Sequence, residues 1–147
     1  MSRTTLEHTI EIERPIEEVF DLVSDPHNDP LWCSRVRGCR QLEGTDPGRG
    51  ARYEVDHHPT LQRPHTRRIS TIEFMRPTHV LSEQVDRVAA FRIRYDLDPT
   101  ASGTRLTQRD EIEWRILPPF RPIGRMIVRR HLGEQLRSLK RLLESEG

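Results

Sequence analysis

The stretch AAFRIRYDLDPTASGTRLTQRDEIEW, Ala89–Trp114, decides the fold. In its first half Ala89, Phe91, Ile93, Tyr95 and Leu97 alternate with Arg92, Arg94 and Asp96. In its second half Leu106, Gln108, Asp110, Ile112 and Trp114 share one face. A period of two is that of a strand with one buried side. Asp98 to Gly103 between the halves is turn chemistry, so the two runs form an antiparallel hairpin.

Upstream, similar runs recur with turn residues between them. Leu6, His8, Ile10 and Ile12 alternate with Glu7, Thr9, Glu11 and Glu13. Val36 to Glu43 ends at a Gly44 to Gly48 turn, and Ala51 to His57 carries Tyr53, Val55 and His57 on one face. A polar loop with Pro59 and Pro64 leads into Arg67 to Met75, where Ile72 and Phe74 alternate. Arg76-Pro77 then turns the chain into Val80 to Val85. Between the first two strands Pro15 opens a helix. Glu17 and Glu18 sit in its first turn, where the helix dipole favours them, and Ile16, Val19, Phe20 and Val23 recur at helical spacing. Asp25-Pro26 stops it, and a second short helix spans Asn28 to Cys33, carrying Leu31 and Trp32.

Downstream, three prolines in Leu117 to Pro122 forbid regular helix there. From Ile123 to Ser145 a helix follows, with Leu132, Leu136, Leu139 and Leu143 in one stripe. The order is strand, two helices, six strands, long helix. It predicts an α+β domain over residues 1–147: a seven-stranded antiparallel sheet, two short helices after strand 1, and a long C-terminal helix over the sheet. Only that helix is long enough to cover the sheet.

Three local signatures resemble the START-like superfamily, also called SRPBCC. The first is Arg14-Pro15-Ile16-Glu17-Glu18-Val19-Phe20-Asp21-Leu22-Val23-Ser24-Asp25-Pro26 with Trp32 beyond it. The second is Tyr95-Asp96-Leu97 followed by Gly103-Thr104-Arg105-Leu106-Thr107. The third is Leu136-Arg137-Ser138-Leu139-Lys140-Arg141-Leu142-Leu143-Glu144. That superfamily includes the birch-pollen allergen, bacterial polyketide cyclase/dehydrases and coenzyme-Q-binding proteins. The resemblance covers essentially the whole chain and implies a helix-grip fold, in which the seven-stranded sheet is curved and the long C-terminal helix lies over an internal apolar cavity. It does not fix a function, because the fold hosts carriers, enzymes and interaction modules.

Composition bounds the rest. Hydrophobic residues make up 33% and charged residues 32% of 147, yet the apolar ones recur in ordered patterns, which argues against disorder. Lysine and arginine number 24 against 23 acidic residues, so bulk charge gives no footprint for nucleic acid. Two cysteines, Cys33 and Cys39, are too few for a disulfide framework and read as inert buried thiols. Met1 to Thr9 has no apolar signal region, and no stretch approaches the roughly 18 apolar residues of a membrane span. A reducing cytoplasm is the expected compartment.

The concave face defined by Leu6, Ile10, Tyr53, Val55, Phe91, Ile93 and Tyr95 also carries His8, His57, Gln108 and Asp110. An apolar pocket with a few convergent polar groups is the general form of a small-molecule site, of the order of 300–1,000 Å³. The expected lining is His8, Tyr53, Val55, His57, Phe74, Phe91, Ile93, Tyr95, Gln108 and Asp110, with Arg125 and Arg129 from the helix. His57 with Tyr53 or Tyr95 could serve as acid and base; a rim satisfied by water or backbone is the simpler reading. An inward Asp110 needs a partner, and an arginine of the helix is the expected one. His57, His58 and His65 invite a metal, but consecutive strand residues point to opposite faces and no ligand motif is present. No metal or cofactor is expected, and no phosphate loop is found.

The helix adds a question of phase. Arg125 and Arg129 continue the leucine stripe, whereas Ile123 and Ile127 fall nearly opposite. A helix that holds one phase aims both arginines at the cavity, where they would pair with Asp110 or bind an acidic ligand group. A change of phase near Gly133 would instead turn the isoleucines inward. Outward isoleucines with Met126 need cover from Leu117 and Phe120, from a second subunit in a homodimer, or from a membrane. The basic stretch Arg121, Arg125, Arg129, Arg130 and Arg137 could meet anionic headgroups or simply be solvated.

Three functions fit. The leading one is a carrier or sensor of a hydrophobic or amphipathic small molecule. The others are a polyketide cyclase, aromatase or dehydrase in the same cavity, and a lipid or quinone chaperone at a membrane surface.

Overall fold

The computed structural model describes residues 3–59 and 63–145; Thr60 to Gln62, within the expected polar loop, lie outside the described residues. The chain forms β1 (Arg3–Ile12), α1 (Ile16–Val23), a 3-10 turn at Pro26–Asn28, and α2 (Asp29–Trp32). Then come β2 (Val36–Glu43), β3 (Arg52–His57), β4 (His65–Met75), β5 (His79–Val85), β6 (Ala89–Pro99) and β7 (Thr104–Trp114). A 3-10 turn at Pro118–Phe120 leads into α3 (Arg121–Ser145).

All seven strands form one antiparallel sheet in the order β1-β7-β6-β5-β4-β3-β2. Each hairpin pairs neighbours, and β1 returns to flank β7, with Leu6 opposite Asp110 and His8 opposite Gln108. This is the expected helix-grip architecture. The β6–β7 turn must pass close under the β1–α1 corner. Thr104 Oγ1 donates to Arg14 O at 2.8 Å, and a Cβ on Gly103 would stand 2.1 Å from Ile12 O. Only glycine fits there.

The apolar faces meet in one core. Val19 and Phe20 of α1 are fully buried, with Phe20 edge-on to Phe74 at 5.2 Å. Trp32 is buried and packs edge-on to Tyr95 at 6.5 Å between ring centres. The C-terminal half of α3 buries Leu132, Leu136, Leu139 and Leu143, as the stripe requires. It is pinned to the end of β1, where Lys140 Nζ donates to Glu11 O at 2.6 Å and Glu144 accepts from the Glu13 amide at 2.9 Å.

β4 departs from a simple alternation. Its register with β5 slips between Thr71 and Glu73. Ahead of the slip the more buried positions are His65, Arg67, Ile69 and Thr71; beyond it Phe74 packs on the core. An extra residue in a strand swaps which parity faces inward. Extending the Ile72/Phe74 pattern backwards therefore leaves His65 and Arg67 on the wrong face. Among the described residues, no helix is long and apolar enough to cross a membrane.

Candidate functional site

Between the sheet and the N-terminal half of α3 lies a partly open hollow of about 150 Å³. Its apolar wall comes from Phe91, Ile93 and Trp114 of the sheet and Ile127, Val128 and Leu132 of the helix. The volume falls below the 300–1,000 Å³ expected from the sequence and is close to what holds one benzene-sized ring. Trp114 and α3 set its shape. Gly124 packs on the Trp114 ring so closely that a Cβ would come within 2.9 Å of Cζ3.

That contact fixes the rotation of the helix and corrects the expectation for its arginines. Gly124, Val128, His131 and Gln135 line the hollow. At 100° per residue they lie about 80° round the helix from the leucine stripe. Arg125 and Arg129 point away and are exposed, lining a shallow surface groove with Thr4, Pro118 and Met126. Ile127 lines the hollow instead, while Ile123 remains exposed. The helix is continuous from Arg121 to Ser145, so no break at Gly133 is involved. The cavity sits beside the stripe's continuation, on one flank of the helix.

The polar lining is built around Arg67, which the sequence reading did not single out. Its Nε and Nη2 donate to Asp86 Oδ2 at 3.1 and 2.8 Å, its Nη2 reaches His57 Nε2 at 3.1 Å, and its guanidinium stacks on Phe91 at 4.8 Å. Burial works against the Asp86 charge, but Arg67 and the Val88 and Ala89 amides outweigh it and hold its pKa below the usual value. Burial, seconded by Arg67, pushes His57 down to about 3, so its ring is neutral. With Nε2 accepting from Arg67, Nδ1 carries the proton, and it has no hydrogen-bond partner among the described residues. His65 faces His57 across the β3–β4 ladder, with rings 5.3 Å apart, and its Nε2 lies 3.4 Å from Asp86 Oδ2. The ligand atoms of His57, His65 and Asp86 fall within 4.8 Å of one another. The Arg67 guanidinium already bonds two of the three, so this cluster holds a fixed cation of the protein's own. His58 is not part of it.

The lining also carries two carboxyls that have no counter-ion at hydrogen-bond distance among the described residues. Asp29, at the start of α2, is pushed up to about 8 by burial and by Asp25, with Arg67 opposing. It keeps part of its surface, facing the hollow. Asp110 is raised to about 6 by burial, against the hydrogen bond from Gln108 Nε2 at 2.9 Å and the pull of Arg67. Its partner is thus an amide two residues away, not the helix arginine expected. Tyr95 and Cys33, also in the lining, are raised by burial and by neighbouring groups that include Asp29. A second basic point lies on the helix side, where Arg35 Nη2 meets His131 Nε2 at 2.7 Å. Burial and Arg35 both lower the His131 pKa.

Of the twelve residues expected at the site, His57, Phe91, Ile93, Tyr95, Gln108 and Asp110 line the hollow. Tyr53 and Val55 are inward but wholly buried in the core, where burial pushes the Tyr53 hydroxyl up to about 12. Phe74 packs on Phe20 at the other end of the sheet. His8 is half-buried on β1, outside the lining. Asp29 lies in the short Asn28 to Cys33 helix, where only Leu31 and Trp32 give a pattern, and Arg67 lies behind the β4 bulge. The alternation His65, Arg67, Ile69, Thr71 was the signal that could have found the latter. Cys33 and Cys39 are free thiols, one buried and one half-buried.

Solved structures share this fold at low identity. A START superfamily protein from Mycobacterium smegmatis superposes with a TM-score of 0.83 at 16% identity, covering 97% of this chain and 99% of that one. The di-domain ARO/CYC StfQ from the steffimycin biosynthetic pathway gives 0.77 at 14% identity, over 98% of this chain and 51% of that one. Ara h 8.0201 gives 0.74 at 10% identity, over 98% and 99%. No curated protein matches in sequence. The family model described as polyketide cyclase / dehydrase and lipid transport matches residues 3–144. With that match across nearly the whole chain, on a START-like helix-grip fold, the protein belongs to the polyketide cyclase / dehydrase and lipid transport family.

Proposed function

We propose that the chain binds a hydrophobic or amphipathic small molecule in the hollow under α3, as a carrier or sensor. The observation that carries this reading is the lining itself. Phe91, Ile93, Trp114, Ile127 and Val128 supply an apolar wall, and Asp29, Asp110, Tyr95 and Arg67 converge on it. At about 150 Å³ the space takes a single ring or a short acyl segment; a larger ligand keeps part of itself at the mouth. A protonated Asp29 offers a hydrogen-bond donor to a carbonyl or hydroxyl, which suits a neutral oxygenated ligand. Native mass spectrometry after incubation with aromatic and medium-chain oxygenated compounds tests this. A saturable one-to-one adduct is the expected result, and a bare protein mass throughout would overturn it.

A cyclase or dehydrase reading has one specific observation in its favour. Asp29, raised to about 8 and facing the hollow, is a carboxylic acid that keeps its proton at neutral pH and so can serve as a general acid. Asp29→Asn separates the two readings, because an amide still donates a hydrogen bond but cannot pass on a proton. A carrier keeps its adduct in this variant. An enzyme keeps the adduct and loses turnover of a poly-β-ketone thioester.

A further inference from the structure

Four of the eight exposed large apolar side chains among the described residues stand together where β7 hands over to α3: Leu117, Phe120, Ile123 and Met126, each 49–68% exposed. They are spaced by three along the chain. The same stretch is strongly basic. Residues 114–133 contain Arg115, Arg121, Arg125, Arg129 and Arg130 and no acidic residue, in a chain whose totals nearly balance at 24 and 23. Arg130 lies 3.9 Å from the exposed Glu134. Arg125 and Arg129 make no ion pair among the described residues. Around α3 at 100° per residue, Met126 falls between Arg129 and Arg130, and Ile123 follows Arg130. Next round the helix comes Ile127, a lining residue of the hollow. The apolar strip thus runs from open solvent to the cavity, edged by guanidinium groups.

We propose that this face docks on an anionic lipid bilayer, with Leu117, Phe120, Ile123 and Met126 entering the interface and the arginines meeting headgroup charge. Apolar side chains flanked by arginines are what interfacial helices present, and each basic residue near an anionic leaflet adds attraction. Charge selects this occupant over a second copy of the chain. A two-fold contact sets the same patch against itself, which would face Arg121, Arg125 and Arg129, gathered beside Met126, with the same three arginines of the second copy. The docked pose brings the cavity flank of α3 to the lipid surface. The proposal does not depend on what the cavity binds, since none of the four apolar residues lines it.

Vesicle flotation tests it, with phosphatidylcholine alone and with phosphatidylcholine containing one third phosphatidylglycerol. The protein is expected on the anionic vesicles only, with binding that weakens as salt rises. Each arginine removed should weaken binding about fivefold, so Arg125→Gln with Arg129→Gln costs about 25-fold, and the double lysine variant restores most of it. Met126→Asp should weaken binding more than tenfold while leaving the circular dichroism spectrum unchanged. Three results overturn the proposal: no partition onto anionic vesicles, equal partition onto both kinds, or a dimer by light scattering that Met126→Asp abolishes.

Discussion

Asp29→Asn is expected to stabilise the protein, and to do so only above acidic pH. The Asp29 carboxyl is raised from 3.8 to about 8, first by burial and then by Asp25. A folded pKa above the unfolded one means that the folded state holds its proton longer. Stability is then complete below about pH 4 and is lost as pH rises towards 8, at about 1.4 kcal/mol per unit. Between pH 5 and pH 7 the wild type therefore forfeits about 3 kcal/mol that the asparagine variant keeps. Asp29 retains some surface toward the hollow, and water there discounts this to about 2 kcal/mol. Asp110, with its own raised pKa, contributes equally to both proteins and cancels. Urea unfolding of the two proteins at pH 5 and pH 7 measures the difference. A gap between them that widens towards pH 7 supports the reasoning. A variant that is less stable at pH 7, or offset by the same amount at both, would refute it, since the effect would then be steric.

Other expectations follow from single contacts. Arg67→Met strands the buried Asp86 carboxylate and should cost about 3–5 kcal/mol at neutral pH by denaturant unfolding. Trp32→Ala empties a site that is 3% exposed and should cost a similar 3–5 kcal/mol. Gly103→Ala, which places a Cβ 2.1 Å from Ile12 O, should lower the melting temperature far more than Gly48→Ala, which meets nothing within 4 Å. Arg129→Met should leave the affinity of acidic and neutral ligands for the cavity equally unchanged, because the side chain faces solvent; isothermal titration with a matched carboxylate and amide pair checks it.

The strands were legible because one face of each is buried and alternation then fixes register, as in Ala89–Trp114. The leucine stripe likewise placed the C-terminal half of α3. What escaped depends on contacts between distant residues. The rotation of the N-terminal half of α3 follows from Gly124 seated on Trp114, ten residues away and on another element. Extrapolating the stripe therefore put Arg125 and Arg129 inside and Ile127 outside. Arg67 and His65 were lost because a one-residue slip in β4 inverts the parity set by Ile72 and Phe74. Asp29 looked like an ordinary acidic residue at a helix start, and its burial comes from sheet and helix closing over it. Half of the residues expected in the lining stand around the hollow for the converse reason. Phe91, Ile93, Tyr95, Gln108 and Asp110 lie on two regular strands whose inward face could be read directly.

The most direct test of small-molecule binding is a titration with a neutral environment-sensitive dye, comparing the wild type with Val128→Trp. Val128 lines the hollow, and an indole there fills it without touching the exposed Met126 patch. The wild type should bind one dye per chain with a blue-shifted emission that hydrophobic competitors reverse, and the folded variant should lose this signal. Equal dye binding by both proteins would contradict the account, because the site would then lie somewhere other than under α3.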